Sequence, residues 1–269
     1  MSKPYIGVVG VKNIKEAFQV ADMLREAMSG RPDTHLAQVG VQVTTRTLHG
    51  EITESRRNPI VSEIPEIFKA AVSIKANVFP VVHFTTREHE KIPQFVDKIL
   101  QLSNGYLAQH DFGLQLNGAF GKIAPEALAS IRSKYPRLKL ILQLHRKVLD
   151  TMPITDIVTH LKEMETLIDY VLIDPSGGRG EEMDVSAGAF LAKQIINQTP
   201  IAVGFAGGLR GDNVAKIVGE LRNKLGMNNF SIDAEGGLRD KVGEGYGNDD
   251  FNIKKAQKYF INAVQAFSD

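Results

Sequence analysis

The chain has 269 residues, 43% of them hydrophobic and 23% charged, enough to bury a large globular core. Its 32 Lys and Arg against 31 Asp and Glu leave a net charge of +1, with no basic surplus for nucleic acid, and the lack of cysteine excludes disulfides, zinc thiolate sites and a thiol nucleophile. No apolar run approaches the ~20 residues that span a bilayer, and Met1-Ser2-Lys3-Pro4-Tyr5 lacks the pattern of a secretory signal, so a cytoplasmic protein with no membrane partner is expected.

Tyr5–Val9 reads as a first strand buried on both faces, because its residues do not alternate with polar ones. Asn13 then stands where an N-cap is wanted, and Ile14, Phe18, Ala21, Met23, Leu24 and Ala27 recur at helical spacing up to Gly30. The same alternation predicts strands at Ala37–Val43, Asn77–His83, Gly113–Asn117, Leu138–Leu144, Tyr170–Asp174, Ile201–Phe205 and Phe230–Ala234. Helices are predicted at Glu63–Lys75, Glu88–Leu102, Pro125–Tyr135, Ile154–Glu165, Ser186–Ile196, Gly211–Leu225 and Asn252–Phe267. Strands alternating with helices pair in parallel through crossovers. Eight such units close a single α/β domain over residues 1–269, a TIM (β/α)₈ barrel. The polar segment Thr47–Ile60 is long for a strand-to-helix loop and reads either as a lid or as a loose insertion. The final helix carries Phe251, Tyr259, Phe260, Ala263 and Phe267, which either close the barrel or pack on a second subunit, making a homodimer possible.

Active sites of such barrels lie at the C-terminal strand ends. The polar residues there are Arg46, His83, Gln115 with Asn117, Gln143 with His145, Asp174 and Asp233. Asp174 leads into Pro175-Ser176-Gly177-Gly178-Arg179-Gly180; the seventh strand ends in Ala206-Gly207-Gly208-Leu209 before Asp212-Asn213; the eighth ends in Asp233-Ala234-Glu235-Gly236-Gly237. Paired glycines let backbone approach an anion closely, so Gly207, Gly208, Gly236 and Gly237 are candidate phosphate-binding residues, against the plainer reading of tight turns. His83 and His145 suit proton transfer near neutral pH, although His145 also fits a polar loop start. His83, His145, Asp174 and Asp233 carry metal-binding side-chain types, but without a local motif such as His-x-x-x-His no metal is expected.

Three stretches resemble phosphoribosylanthranilate isomerase: Tyr170-Val171-Leu172-Ile173-Asp174 with its glycine loop, Phe205-Ala206-Gly207-Gly208-Leu209 running to Asn213-Val214, and Ser231-Ile232-Asp233-Ala234-Glu235-Gly236-Gly237. Gln115-Leu116-Asn117-Gly118 and Gly10-Val11-Lys12-Asn13 echo further fragments of that family. The resemblance implies a barrel of the ribulose-phosphate-binding type, no cofactor, a small phosphorylated sugar as partner, and an Amadori rearrangement of an aminoaldose. It implies Asp174 as general acid, Asp233 on sugar hydroxyls or assisting electrostatically, and Gly207, Gly208, Gly236 and Gly237 on the phosphate. Arg46 is a loose counterpart of the family's carboxylate-binding arginine; with Gln115 and Asn117 it completes the substrate-binding candidates. Asn117 stands at the family's strand-four histidine, and Val9 at its catalytic cysteine. The expectation is an isomerase-type enzyme in which another base, His83 or His145 among the candidates, replaces the cysteine. The alternative is a non-catalytic barrel that keeps the phosphate cradle.

Overall fold

The computed structural model describes residues 2–29, 34–51, 53, 55–73, 77–102, 107, 111–176 and 181–268. Eight parallel strands close a barrel in sequence order: β1 Tyr5–Val9, β2 Leu36–Thr44, β3 Val78–Thr85, β4 Gly113–Asn117, β5 Lys139–His145, β6 Tyr170–Asp174, β7 Ala202–Ala206 and β8 Ser231–Ala234. Closure is made by β1 on β8, with Gly7 opposite Asp233. Each strand lies within two residues of its expected bounds.

The helices are α1 Ile14–Met28, α2 Thr45–Leu48, α3 Ile64–Val72, α4 Ile92–Leu102, α5 Pro125–Lys134, α6 Arg146–Thr151, α7 Ile154–Glu163, α8 Val185–Gln198, α9 Val214–Leu225 and α10 Ile253–Ser268. Asn13 does cap α1, its side chain accepting from the Glu16 N–H at 2.9 Å. The expected starts of α3, α4 and α9 come early: single 3₁₀ turns at Val61–Glu63 and His89–Lys91 precede the first two. The chain before α9 is held back by the Asn213 side chain, which accepts from the Arg210 N–H. Helices α2 and α6 fall where loops were read, and the Thr44–Thr47 capping box accounts for the first. An antiparallel hairpin, β9 Arg239–Lys241 with β10 Asp249–Phe251, follows β8 unforeseen.

Helix α10 packs against α1 and α9 and closes the ring of helices. Tyr259, Phe260, Ala263 and Phe267 are therefore buried in this chain's own core and are not left over for a second subunit.

Side-chain alternation separates two cores. Outward residues such as Val8, Val39, Leu114 and Ile173 pack under the helices. Inward residues Tyr5, Phe79, Val81, Ile141, Tyr170 and Leu172 plug the lower barrel, leaving its upper end to polar side chains.

Candidate active site at the barrel mouth

A cavity of about 650 Å³ opens at the C-terminal ends of the strands. It is lined by His83, Gln115, Asn117, Gln143, His145, Asp174, Asp233, Gly207, Gly208, Gly236 and Gly237, so all but one of the residues singled out in the sequence meet there. The exception is Arg46. It sits on α2, which turns its side chain outward to Glu51 at 2.8 Å, and it does not line the cavity.

The acids lie on the β6–β8 side. Asp174 is buried and accepts from Gln143 Nε2 at 2.7 Å, from the Ser176 N–H at 3.0 Å and from the Ser176 hydroxyl at 2.8 Å. These bonds tie it to its own loop; Gly177-Gly178-Arg179-Gly180 of that loop lies outside the described residues. Asp233 is 5% exposed and leans on β1 where a side chain is missing: a Cβ on Gly7 would fall 2.1 Å from Asp233 Oδ1. Burial, and then the charges of Glu235 and Asp174, push the Asp233 carboxyl well above the usual carboxylate range. That shift favours the protonated form of Asp233.

The β2–β3 side carries an imidazole. Gln38 Nε2 donates to His83 Nε2 at 3.0 Å and reaches Asp233 Oδ1 at 3.5 Å, linking imidazole and carboxyl through one amide. A Cβ on Gly40 would fall 2.8 Å from His83 Nε2 and 3.2 Å from Val9 Cγ1, so the bare strand lets the ring lie beside Val9. Burial lowers His83 to about 3. A ring that resists protonation and already accepts a hydrogen bond suits neutral hydrogen bonding better than proton abstraction. His145 lines the cavity and opens a helix where a polar loop start was read: it caps α6, its Nδ1 accepting from the Val148 N–H at 3.4 Å.

The glycine loops converge. A Cβ on Gly237 would fall 2.1 Å from the Leu209 carbonyl oxygen, so the loops after β7 and β8 pack backbone to backbone. Gly207 and Gly208 adopt φ of +122° and +63°, and a Cβ on Gly208 would strike the Glu181–Glu182 backbone. The four glycines form one rim of the cavity.

Sequence reasoning missed a buried ion cluster at the same rim. Arg57, 3% exposed, donates to Glu235 and to Asp249, reaching the latter at 2.8 Å from Nε; Gln42 Nε2 donates to Glu235 Oε1 at 2.7 Å. Arg239 joins Asp249 and donates to the Gly10 carbonyl, while the Tyr246 ring covers the Arg57 guanidinium at 4.2 Å. Burial opposes the Arg57 charge, but bonds to Asp249 and the charge of Glu235 outweigh it and hold the group above its ordinary value. Burial pushes Glu235 up, only partly offset by Arg57 and Arg239. Residues 55–58 of the long loop are therefore strapped to the hairpin through Arg57, with Ser55 and Asn58 forming part of the cavity wall. The signal available in the sequence was Glu235, two residues after Asp233 and so on the same inward face.

Among the described residues no three His, Asp or Glu side chains gather as metal ligands, and no helix is long and apolar enough to cross a membrane.

Fold and cavity define the class: a (β/α)₈ barrel with paired acids, buried amides and a glycine rim at its mouth. No protein-family model and no curated protein matches the sequence. Solved structures match its shape. The phospho-2-dehydro-3-deoxyheptonate aldolase of Thermotoga maritima is 11% identical with TM-score 0.58, the match covering 98% of this chain and 68% of that one. The CutC protein of Streptococcus agalactiae is 13% identical with TM-score 0.55, covering 87% and 99%. The carboxyl transferase domain of Rhizobium etli pyruvate carboxylase is 10% identical with TM-score 0.57, covering 100% and 49%. At these identities the likeness is one of fold.

Proposed function

We propose that this barrel is an isomerase-type enzyme that binds a small phosphorylated sugar and shifts a proton on it between the acids ending β6 and β8. The observation that carries the reading is the convergence of Gly207-Gly208 and Gly236-Gly237 at one rim beside Asp174 and Asp233. A phosphate is held there by backbone, and the sugar reaches inward to a proton donor and a proton acceptor. The resemblance to phosphoribosylanthranilate isomerase gives the acid role to Asp174; burial, which raises the Asp233 carboxyl, makes Asp233 a second candidate donor. The test is turnover across a panel of aldose and ketose phosphates. Asp233→Asn and Asp174→Asn each abolish interconversion while phosphate affinity, read by calorimetry, stays within about threefold. Turnover that survives both changes defeats the assignment.

A second reading, a non-catalytic phosphate-binding barrel, is favoured by Val9, buried at the position of the family's cysteine with its nearest imidazole occupied by Gln38. It predicts phosphate binding with no turnover on any member of the panel.

A further inference from the structure

We propose that the wall opposite the glycine rim, at the ends of β3 and β4, is a second anion subsite built from Arg87 and Lys122, so that the ligand carries an anionic group at each end. The inference rests on the phosphorylated-ligand reading above and extends it to the ligand's other end.

Strand order fixes the geometry. In a closed ring of eight strands, β3 and β4 face β7 and β8 across the opening. The charges lining the mouth divide along that line. Asp174, Asp233 and Glu235 stand on the β6–β8 side, whereas Arg87 and Lys122 are the only Arg or Lys among the described lining residues and stand beyond β3 and β4. The other cations near the rim are committed elsewhere: Arg57 to Glu235 and Asp249, Arg210 to Glu182 at 2.7 Å. Among the described residues Arg87 and Lys122 make no ion pair, and His89 brings their loops together by donating from Nε2 to the Gly118 carbonyl at 3.1 Å. An anion is therefore attracted to one wall by charge and accepted at the other only through backbone, beside carboxylates that repel any anion out of register.

The floor between the walls matches the middle of such a ligand. Gln115 is 2% exposed, lines the cavity and donates to Asn117 Oδ1 at 2.8 Å, while its own Oε1 is buried without a partner among the described residues. With Asn117 and Gln143 it lines the floor with side-chain amides, groups that hydrogen-bond the hydroxyls of a polyol chain. The chemistry is a short polyhydroxylated chain with phosphate at one end and phosphate or carboxylate at the other.

Calorimetry with four probes tests this: inorganic phosphate, glucitol 6-phosphate, glucitol 1,6-bisphosphate and 6-phosphogluconate. The two doubly anionic probes are expected to bind about tenfold tighter than glucitol 6-phosphate. Whichever of them gains more identifies the second group as phosphate or carboxylate. The double variant Arg87→Gln/Lys122→Gln loses that gain and keeps glucitol 6-phosphate affinity; both side chains are exposed, and an unchanged melting temperature checks the fold. Equal affinity for singly and doubly anionic probes, or a gain that survives the double variant, overturns the second subsite and leaves the phosphate reading standing. Failure of all four probes to bind overturns both.

Discussion

One set of eight strands builds two unlike interiors. In the lower barrel the inward positions carry Tyr5, Phe79, Val81, Ile141, Tyr170 and Leu172, an apolar plug that stabilises the fold by leaving water. In the upper barrel the inward positions carry Gln38, His83, Gln115, Gln143, Asp174 and Asp233, all buried. The alternation of the backbone is the same at both ends; the side chains alone turn packing into a site. Polar groups buried in the mouth give up hydration for few partners, and Gln38 Oε1 and Gln115 Oε1 have none among the described residues. The mouth is held together instead by ions at its edge.

That contrast can be broken from either end. Arg57→Met strips the buried acids Glu235 and Asp249 of their shared cation, and equilibrium denaturation should register a loss of about 3–5 kcal/mol. Ile141→Ala opens a hole in the plug and is expected to cost about 2–5 kcal/mol with phosphate affinity retained. A third effect, smaller over the first pH unit below 6.5, concerns acid. The folded chain holds His83 neutral down to about 3, whereas the unfolded chain protonates it below its ordinary value of 6.5. Folding therefore excludes a proton in that window, so the contribution is complete above 6.5 and lost as the pH falls towards 3, at up to ~1.4 kcal/mol per pH unit. His83→Gln should flatten that slope, and His35, lowered to about 4 by burial, supplies the residual one. Smallest is Arg56→Ala, which removes an exposed pair with Asp250 and should cost less than ~1 kcal/mol. An Arg56 loss equal to that of Arg57 contradicts the assignment of the buried cluster as the clamp.

Most of the fold was legible in the sequence because strands buried on both faces are written as unbroken apolar runs, and the eight of them alternate with amphipathic stretches. The site was legible where it follows from strand ends: His83, Gln115, Asp174 and Asp233 each terminate or nearly terminate a predicted strand and each lines the cavity. Arg46 failed the same rule because β2 runs to Thr44 and the next turn is helical, which swings the side chain outward. The last helix was ambiguous because its apolar stripe is identical whether the partner is α1 and α9 or another subunit. The cluster of Arg57, Glu235, Asp249 and Arg239 was invisible because ion pairs between distant segments leave no periodicity. Arg87 and Lys122 were passed over because they lie beyond the strand ends, on the loops.

The reach of Arg57 sets an order of assembly. Its acids lie 178 and 192 positions further along the chain, so the strap has nothing to fasten to until the hairpin beyond β8 exists. Contacts so remote in sequence form late in folding, because the intervening loop must first be closed. Stopped-flow refolding should show the helices appearing ahead of the step that buries Arg57, with ligand competence arriving in that last phase.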